Sequence, residues 1–133
     1  NQFVAAFVGS PPMNFLDVTC DSKGALCLGD IQLQGPPDVD LRSHGGSLLT
    51  LGVRPEDVHL TGGDGVSGII QVVEQLGAST LLYVKVQKSL IAVQTPGNMH
   101  VKVGDPQHIG FAPDRLYLFE GSEGKAIRTP GTG

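Results

Sequence analysis

The stretch Thr80-Leu-Leu-Tyr-Val-Lys-Val86 decides the fold class of this chain. Its apolar residues Leu82 and Val84 alternate with Tyr83 and Lys85, which is a period of two residues. That period predicts a β-strand with one buried face and one face in water. A strand of this kind is stable only beside other strands that share its buried face, so we expect further strands on both sides of it in the sequence.

Other short segments have the same character, being rich in Val, Leu and Ile and bounded by Gly, Pro, Asn or Asp. The segments predicted to be strands are 15–19, 25–33, 48–53, 66–75, 90–93, 107–111 and 116–119. Gly77 follows one of the longest of them, and a glycine there predicts a bulge or corner. The Gly-rich stretch 35–47 is predicted to be a loop, and Pro55 to begin a short helical turn. About eight short strands and one short N-terminal helix make this an all-β chain.

The composition agrees with a turn-rich β domain of ordinary size. The 133 residues include 19 Gly and 9 Pro and no Trp. Glycine and proline spread along the chain indicate many turns between short strands, as in a sandwich or barrel. Because aromatic residues are few, the core must depend on Val, Leu and Ile.

Charge and side-chain chemistry argue against several classes of function. The net charge of −4 with interspersed signs provides no basic surface for nucleic acid, and no apolar run approaches the roughly 20 residues that span a bilayer. The four histidines are too scattered to predict a metal site. Cys20 and Cys27 flank a predicted turn, and two cysteines alone indicate neither a zinc site nor a disulfide scaffold.

The first sixteen residues are predicted to begin inside a larger protein. Phe3, Val4, Phe7 and Val8 recur at helical spacing, and Gly-Ser-Pro-Pro at 9–12 stops the helix. An apolar helix with nothing before it to pack against suggests a fragment cut from a longer chain.

Four ordered motifs carry a resemblance to a known family. They are Phe7-Val-Gly-Ser-Pro-Pro-Met-Asn-Phe15, Leu51-Gly-Val-Arg-Pro-Glu-Asp57, Val73-Glu-Gln-Leu-Gly-Ala-Ser-Thr80 and Phe111-Ala-Pro-Asp-Arg-Leu-Tyr-Leu-Phe119. Together they resemble the region after the ATPase core in ATP-binding subunits of sugar-type ABC importers, which serve maltose, multiple sugars and glycerol 3-phosphate. Between about Cys20 and Ser47 no motif of the family is recognisable.

This resemblance implies a fold and a division of the chain. The implied domain is the C-terminal regulatory, transport-associated OB-type (TOBE) domain, built as an OB-like barrel or a pair of small β-subdomains. Residues 1–10 would end the helix that connects to the ATPase domain, 11–120 would form the regulatory domain, and 121–133 a flexible tail.

The resemblance also implies partners and a location. The domain would be noncatalytic and would hold two identical subunits together as a homodimer. It would adjoin the ATPase domain of its own chain and reach the membrane subunits of the transporter indirectly, in the cytoplasm at the inner face of the cell membrane. Neither nucleic acid nor direct membrane insertion is expected.

Nucleotide chemistry is expected elsewhere in such a protein. No G-x-x-x-x-G-K-[ST] phosphate loop occurs in the sequence, so no amide cradle and lysine for ATP phosphates are predicted here. ATP and Mg²⁺ would belong to the ATPase domain, and we expect no catalytic, cofactor-binding or metal-binding residue in this chain.

Two groups of residues are candidates for an interface or a ligand corner. Arg54, Glu56 and Asp57 form a dense charge cluster beside a strand end, which could contact the partner subunit or the ATPase domain. The alternative interpretation is a capped turn with a weak surface ion pair. Glu74, Gly77, Ser79 and Thr80 mark a corner whose amides and hydroxyls could bind an oxyanion. A tight turn with internally bonded hydroxyls is the alternative for that corner. A domain that senses a small ligand, either an oxyanion or a sugar metabolite, therefore remains the second hypothesis for function.

Overall fold

The structure, a computed structural model, describes residues 11–121 and 124–131. It confirms the all-β prediction, while the predicted helix at 1–10 lies outside the described residues. The strands are β1 (Asn14–Cys20), β2 (Leu26–Leu28), β3 (Ile31–Leu33), β4 (Leu48–Val53), β5 (Val58–Leu60), β6 (Val66–Gln75), β7 (Ser79–Val86), β8 (Ser89–Pro96), β9 (Pro106–Phe111), β10 (Tyr117–Glu120) and β11 (Lys125–Arg128). Short 3₁₀ turns lie at Arg42–His44, Pro55–Asp57 and Pro113–Arg115. Among the described residues, no helix has the length and apolar character needed to cross a membrane.

The chain folds into two compact units, each with its own sheet. Of the described residues, 11–14 and 54–110 belong to the first, which we call the barrel unit. The second, the sheet unit, takes 15–53 and the described residues from 111 onward. This division agrees with the expected pair of small β-subdomains.

The barrel unit contains a five-stranded sheet in the order β5-β9-β6-β7-β8. Its two edge strands, β5 and β8, lie next to each other, so the sheet is a nearly closed barrel consistent with an OB fold. The predicted alternation in β7 is confirmed, because Leu82, Val84 and Val86 face the interior while Lys85 is exposed. The barrel core comprises Val58, Val66, Ile70, Leu82, Val84, Val86, Ile91, Val93 and Ile109.

The sheet unit contains six strands in the order β11-β10-β4-β1-β2-β3. In β1, every second side chain is buried from Asn14 to Cys20. The long-range pairing of β10 with β4 is antiparallel, with Phe119 opposite Thr50. The core of this unit comprises Leu16, Val18, Leu26, Leu28, Leu33, Leu41, Leu49, Leu51, Val53, Leu116 and Leu118.

The structure differs from the sequence prediction at four places. The strand β5 at Val58–Leu60 was not predicted. The predicted strand 25–33 is a hairpin, because Gly29 adopts a left-handed φ of 61° between β2 and β3. Gly77 lies at a corner, as one of its two interpretations predicted, while β6 also has a bulge between Ile70 and Val72 that the sequence did not predict. Lys125–Arg128, within the tail predicted to be flexible, forms β11 and pairs with β10.

The side chain of Asn14 binds the backbone of an edge strand. Its Nδ2 donates to the carbonyl oxygen of Ala92 at 2.9 Å, and its Oδ1 accepts from the Ala92 N–H at 2.8 Å. Ala92 lies in β8, at the edge of the barrel sheet. The amide therefore satisfies both polar groups of one residue, as a neighbouring strand would.

We expect Asn14→Ala to lower the free energy of unfolding by about 1–2 kcal/mol, because it leaves the buried N–H and C=O of Ala92 without these partners. Urea unfolding measured by circular dichroism tests this. Asn98→Ala makes the same change at an exposed loop residue and should cost less than about 0.5 kcal/mol. Equal losses in the two variants would contradict the assignment.

Candidate functional site

The charge cluster Arg54, Glu56 and Asp57 surrounds a 3₁₀ turn that leads into β5. Arg54 is extended, with ψ of 148°, as expected for a residue before proline. Pro55 occupies the first turn position and is buried, while the Asp57 N–H donates to the Arg54 carbonyl oxygen at 2.9 Å. The turn holds the Glu56 side chain in solvent, beside the strand that follows.

Glu56 lines a surface pocket of the barrel unit with a volume of about 360 Å³. The pocket lies between the segment from this turn through β5 and the carboxyl end of β8. Its lining consists of Glu56, Val58, His59, Leu60, Gln94, Thr95 and Pro96. We call it the seam pocket, because β5 and β8 are the two edges of the nearly closed sheet. Neither Arg54 nor Asp57 lines it.

The predicted corner at Glu74–Thr80 is the β6–β7 hairpin. The Leu76 N–H donates to the Ser79 carbonyl oxygen at 2.8 Å, closing a loop of Gly77 and Ala78. Gly77 has φ of +92° at the first central position, which type II′ hairpin turns give to glycine. Glu74 precedes this turn as an exposed residue of β6.

Both hydroxyls of the corner are bonded within the barrel unit. Ser79 Oγ accepts from Gln94 Nε2 at 3.2 Å. Thr80 is fully buried, and its Oγ1 accepts from the Met99 N–H at 3.0 Å and lies 2.8 Å from the Gly97 carbonyl oxygen. These bonds favour the structural interpretation of the two hydroxyls, while the corner as a ligand site stays a prediction.

Gln94 lies between the two predicted groups. This residue lines the seam pocket with Glu56 and donates to Ser79 of the corner. Glu74 and Gly77 do not line the pocket. The amide oxygen of Gln94 and the carboxylate of Glu56 make the seam pocket rich in hydrogen-bond acceptors.

Sequence reasoning missed an aromatic patch on the sheet unit. The outward register of β1 exposes 62% of Phe15, although buried residues flank it on the strand. The Phe15 ring contacts Phe119 with centroids 6.3 Å apart, and Phe119 stacks on Tyr117 at 6.4 Å. Leu48, on the outward register of β4, is 65% exposed. We define the aromatic patch as Phe15, Leu48, Tyr117 and Phe119.

A shallow, mainly apolar groove of about 330 Å³ borders this patch and is lined by Phe15, Thr50, Phe119 and Gly124. The signal in the sequence was a phenylalanine in the outward register of an alternating strand. For Phe119 the sequence predicts only a structural role.

Titratable groups of the sheet unit have local structural explanations. Hydrogen bonds from Arg42 lower the pKa of Asp40 to about 2. Burial raises the pKa of the Cys20 thiol, with a further contribution from the charge of Asp21. The protonated thiol donates to the Leu41 carbonyl oxygen at 3.3 Å. Both cysteines are free, and the described ranges contain no cluster of three or more His, Cys, Asp or Glu suited to a metal ion.

Comparisons with known proteins agree with the resemblance seen in the sequence. Residues 51–119, more than half of the chain, match the TOBE domain family, and residues 9–58 match the MalK OB fold domain.

Three curated relatives are ATP-binding proteins of importers. The trehalose/maltose import ATP-binding protein of Thermococcus litoralis is 30% identical, over 96% of this chain and 37% of its own length. The maltose/maltodextrin import ATP-binding protein of Photorhabdus laumondii is 37% identical, over 90% of this chain and 34% of its own length. An sn-glycerol-3-phosphate import ATP-binding protein of Agrobacterium fabrum is 30% identical, over 99% of this chain and 36% of its own length. The chain thus spans little more than a third of the length of these relatives.

Proposed function

The chain belongs to the TOBE domain family, and from that premise we propose that it is a noncatalytic regulatory and dimerisation domain. Its parent would be the ATP-binding subunit of an ABC importer for sugars or related solutes. The relatives are named for the import of maltose, trehalose, maltodextrin or glycerol 3-phosphate. Two such domains held together would keep their ATPase domains at high effective concentration while these open and close.

The observation that carries the dimerisation role is the aromatic patch. Phe15 and Leu48 are more than half exposed and contribute no charge. A two-fold contact brings the same surface of each subunit together, so an uncharged patch avoids like-charge repulsion against its own copy. Burying apolar surface gains roughly 25 cal/mol per Å², which favours covering these side chains.

We expect the chain to be a dimer at micromolar concentration and Phe15→Asp to be a monomer, because the substitution places two like charges in the two-fold contact. Sedimentation velocity measures both. Val103→Asp is the matched control, since Val103 is also apolar and 64% exposed but lies in the barrel unit. That variant should remain a dimer.

The N-terminal apolar residues require a second comparison. Phe3 and Phe7 could pair artificially if they adjoin another domain in the parent protein. The sedimentation is therefore repeated on a chain beginning at Ser10. Monomers of both lengths would refute the dimer, and a dimer of the longer chain only would assign the contact to the N-terminal segment.

Nucleotide chemistry is proposed for the rest of the parent protein. The 133-residue sequence has no phosphate loop, so ATP and Mg²⁺ would bind the ATPase domain of the same polypeptide. That domain and the identical subunit would be the direct partners, and the membrane subunits would be reached indirectly. The location would be the cytoplasmic face of the cell membrane.

A further inference from the structure

We propose that the seam pocket binds a small alkylammonium ion, with Glu56 receiving the charged group. This inference is independent of the dimer, because the pocket is built within the barrel unit alone. It gives the second hypothesis for function, a ligand-sensing role, a definite site and a ligand chemistry.

The charge of the pocket selects a cation. Glu56 is the one acidic residue of the lining, and its carboxylate forms no ion pair with any residue that the structure describes. Neither lysine nor arginine contributes to the lining, and its one basic residue is the exposed His59. An oxyanion would meet an uncompensated negative charge here, whereas an ammonium group would be attracted to it.

The other polar groups suit a ligand with several N–H donors. Gln94 uses its Nε2 to bind Ser79 Oγ, which leaves its Oε1 as an acceptor. An ammonium group carries three donors and no acceptor, so it can bond to the Glu56 carboxylate and the Gln94 amide oxygen while a third N–H stays in water.

The remaining walls suit a short hydrocarbon chain. Leu60 and Pro96 supply apolar surface to the same pocket, whereas the Val58 side chain is buried in the barrel core. Small-molecule sites commonly combine mainly apolar walls with a few polar groups that orient the ligand. An alkyl chain attached to the ammonium group would therefore lie against Leu60 and Pro96.

Titration of the 133-residue chain with n-butylammonium chloride, followed by ¹H–¹⁵N NMR at constant ionic strength, tests the proposal. We expect saturable shifts at the amides of Leu60, Gln94 and Thr95. The neutral 1-butanol and the anionic butyrate have the same chain length, and they should bind at least about tenfold more weakly if the charge contributes about 1.4 kcal/mol.

A pair of charge-matched variants isolates the role of Glu56. Glu56→Gln should weaken n-butylammonium binding about tenfold, while Asp64→Asn changes the net charge equally at an exposed residue of the same unit outside the pocket and should leave the affinity unchanged. The proposal is overturned if the shifts do not saturate, if they lie elsewhere, or if 1-butanol binds as well. Equal weakening in both variants would overturn it too, because only nonspecific attraction to the acidic chain would then remain.

Discussion

Arg128→Met is expected to lower the free energy of unfolding by about 2–3 kcal/mol, because it removes several charge-assisted hydrogen bonds. Only 8% of the Arg128 side chain is exposed. Its guanidinium donates to the carbonyl oxygens of Leu116 at 2.7 Å and Asp114 at 3.0 Å, and to Asp38 at 3.1 Å. The exposed Asp38 carboxylate is readily solvated after the change, so most of the loss should come from the two carbonyls.

Thermal unfolding measures the effect as a fall in midpoint of about 10 °C for a domain of this size. Lys125→Met is the control, because it removes a positive charge from an exposed residue of the same strand. It should cost less than about 1 kcal/mol. Arg128→Lys should lie between the two, since lysine keeps the charge but lacks the planar fork. A loss for Arg128→Met no larger than that of the control would contradict the assignment.

Arg128 also explains why the tail was predicted incorrectly from sequence. Glycines at 121, 124, 131 and 133 indicate an irregular segment when each residue is considered with its neighbours. The strand Lys125–Arg128 exists because β10 offers an edge and because carbonyls near 114–116 accept from Arg128. The accepting carbonyls belong to residues more than ten positions before Arg128. A pattern of neighbouring residues does not show backbone partners at that distance.

The parts of the fold that followed from sequence are those with local causes. Alternation in β7 and the proline at the 55–57 turn each act within a few residues, and both were predicted correctly. The order of strands in the six-stranded sheet was not predicted. In that sheet β4 lies between β1 and β10, and these neighbouring strands are distant in sequence. Only the family resemblance pointed to the two units.

In the candidate site, too, only the features with local causes could be predicted from the sequence. The charge cluster and the hairpin corner were predicted as separate features; they lie at a 3₁₀ turn and at the β6–β7 turn, and their role as sites stays a prediction. That Glu56 and Gln94 line one pocket depends on the approach of β5 to β8, which are distant in sequence. The aromatic patch was not predicted, because alternation alone does not show which face of β1 is buried, and the exposed face carries Phe15.

Gly65→Ala is expected to produce the largest loss of stability, at least about 3 kcal/mol, because a methyl group would overlap backbone atoms. A Cβ at this position would collide with the carbonyl oxygen of Ile109. Gly65 also has φ of +96°, a conformation that residues with a side chain rarely adopt. It directly precedes Val66, which pairs with Ile109 where β6 meets β9, so relief of the collision would disturb that pairing.

Gly62→Ala, in the same turn, separates the strain of a positive φ from the steric overlap of a new methyl group. Gly62 has φ of +76°, but a Cβ there would meet nothing within 4 Å. Its replacement should cost only the conformational strain, about 1–2 kcal/mol. Urea unfolding of the two variants measures the difference, which should be at least about 1 kcal/mol in favour of Gly62→Ala. Equal losses would mean that β9 moves away from the new methyl group at no cost, and the close approach of Gly65 to Ile109 would then not contribute to the stability of the barrel unit.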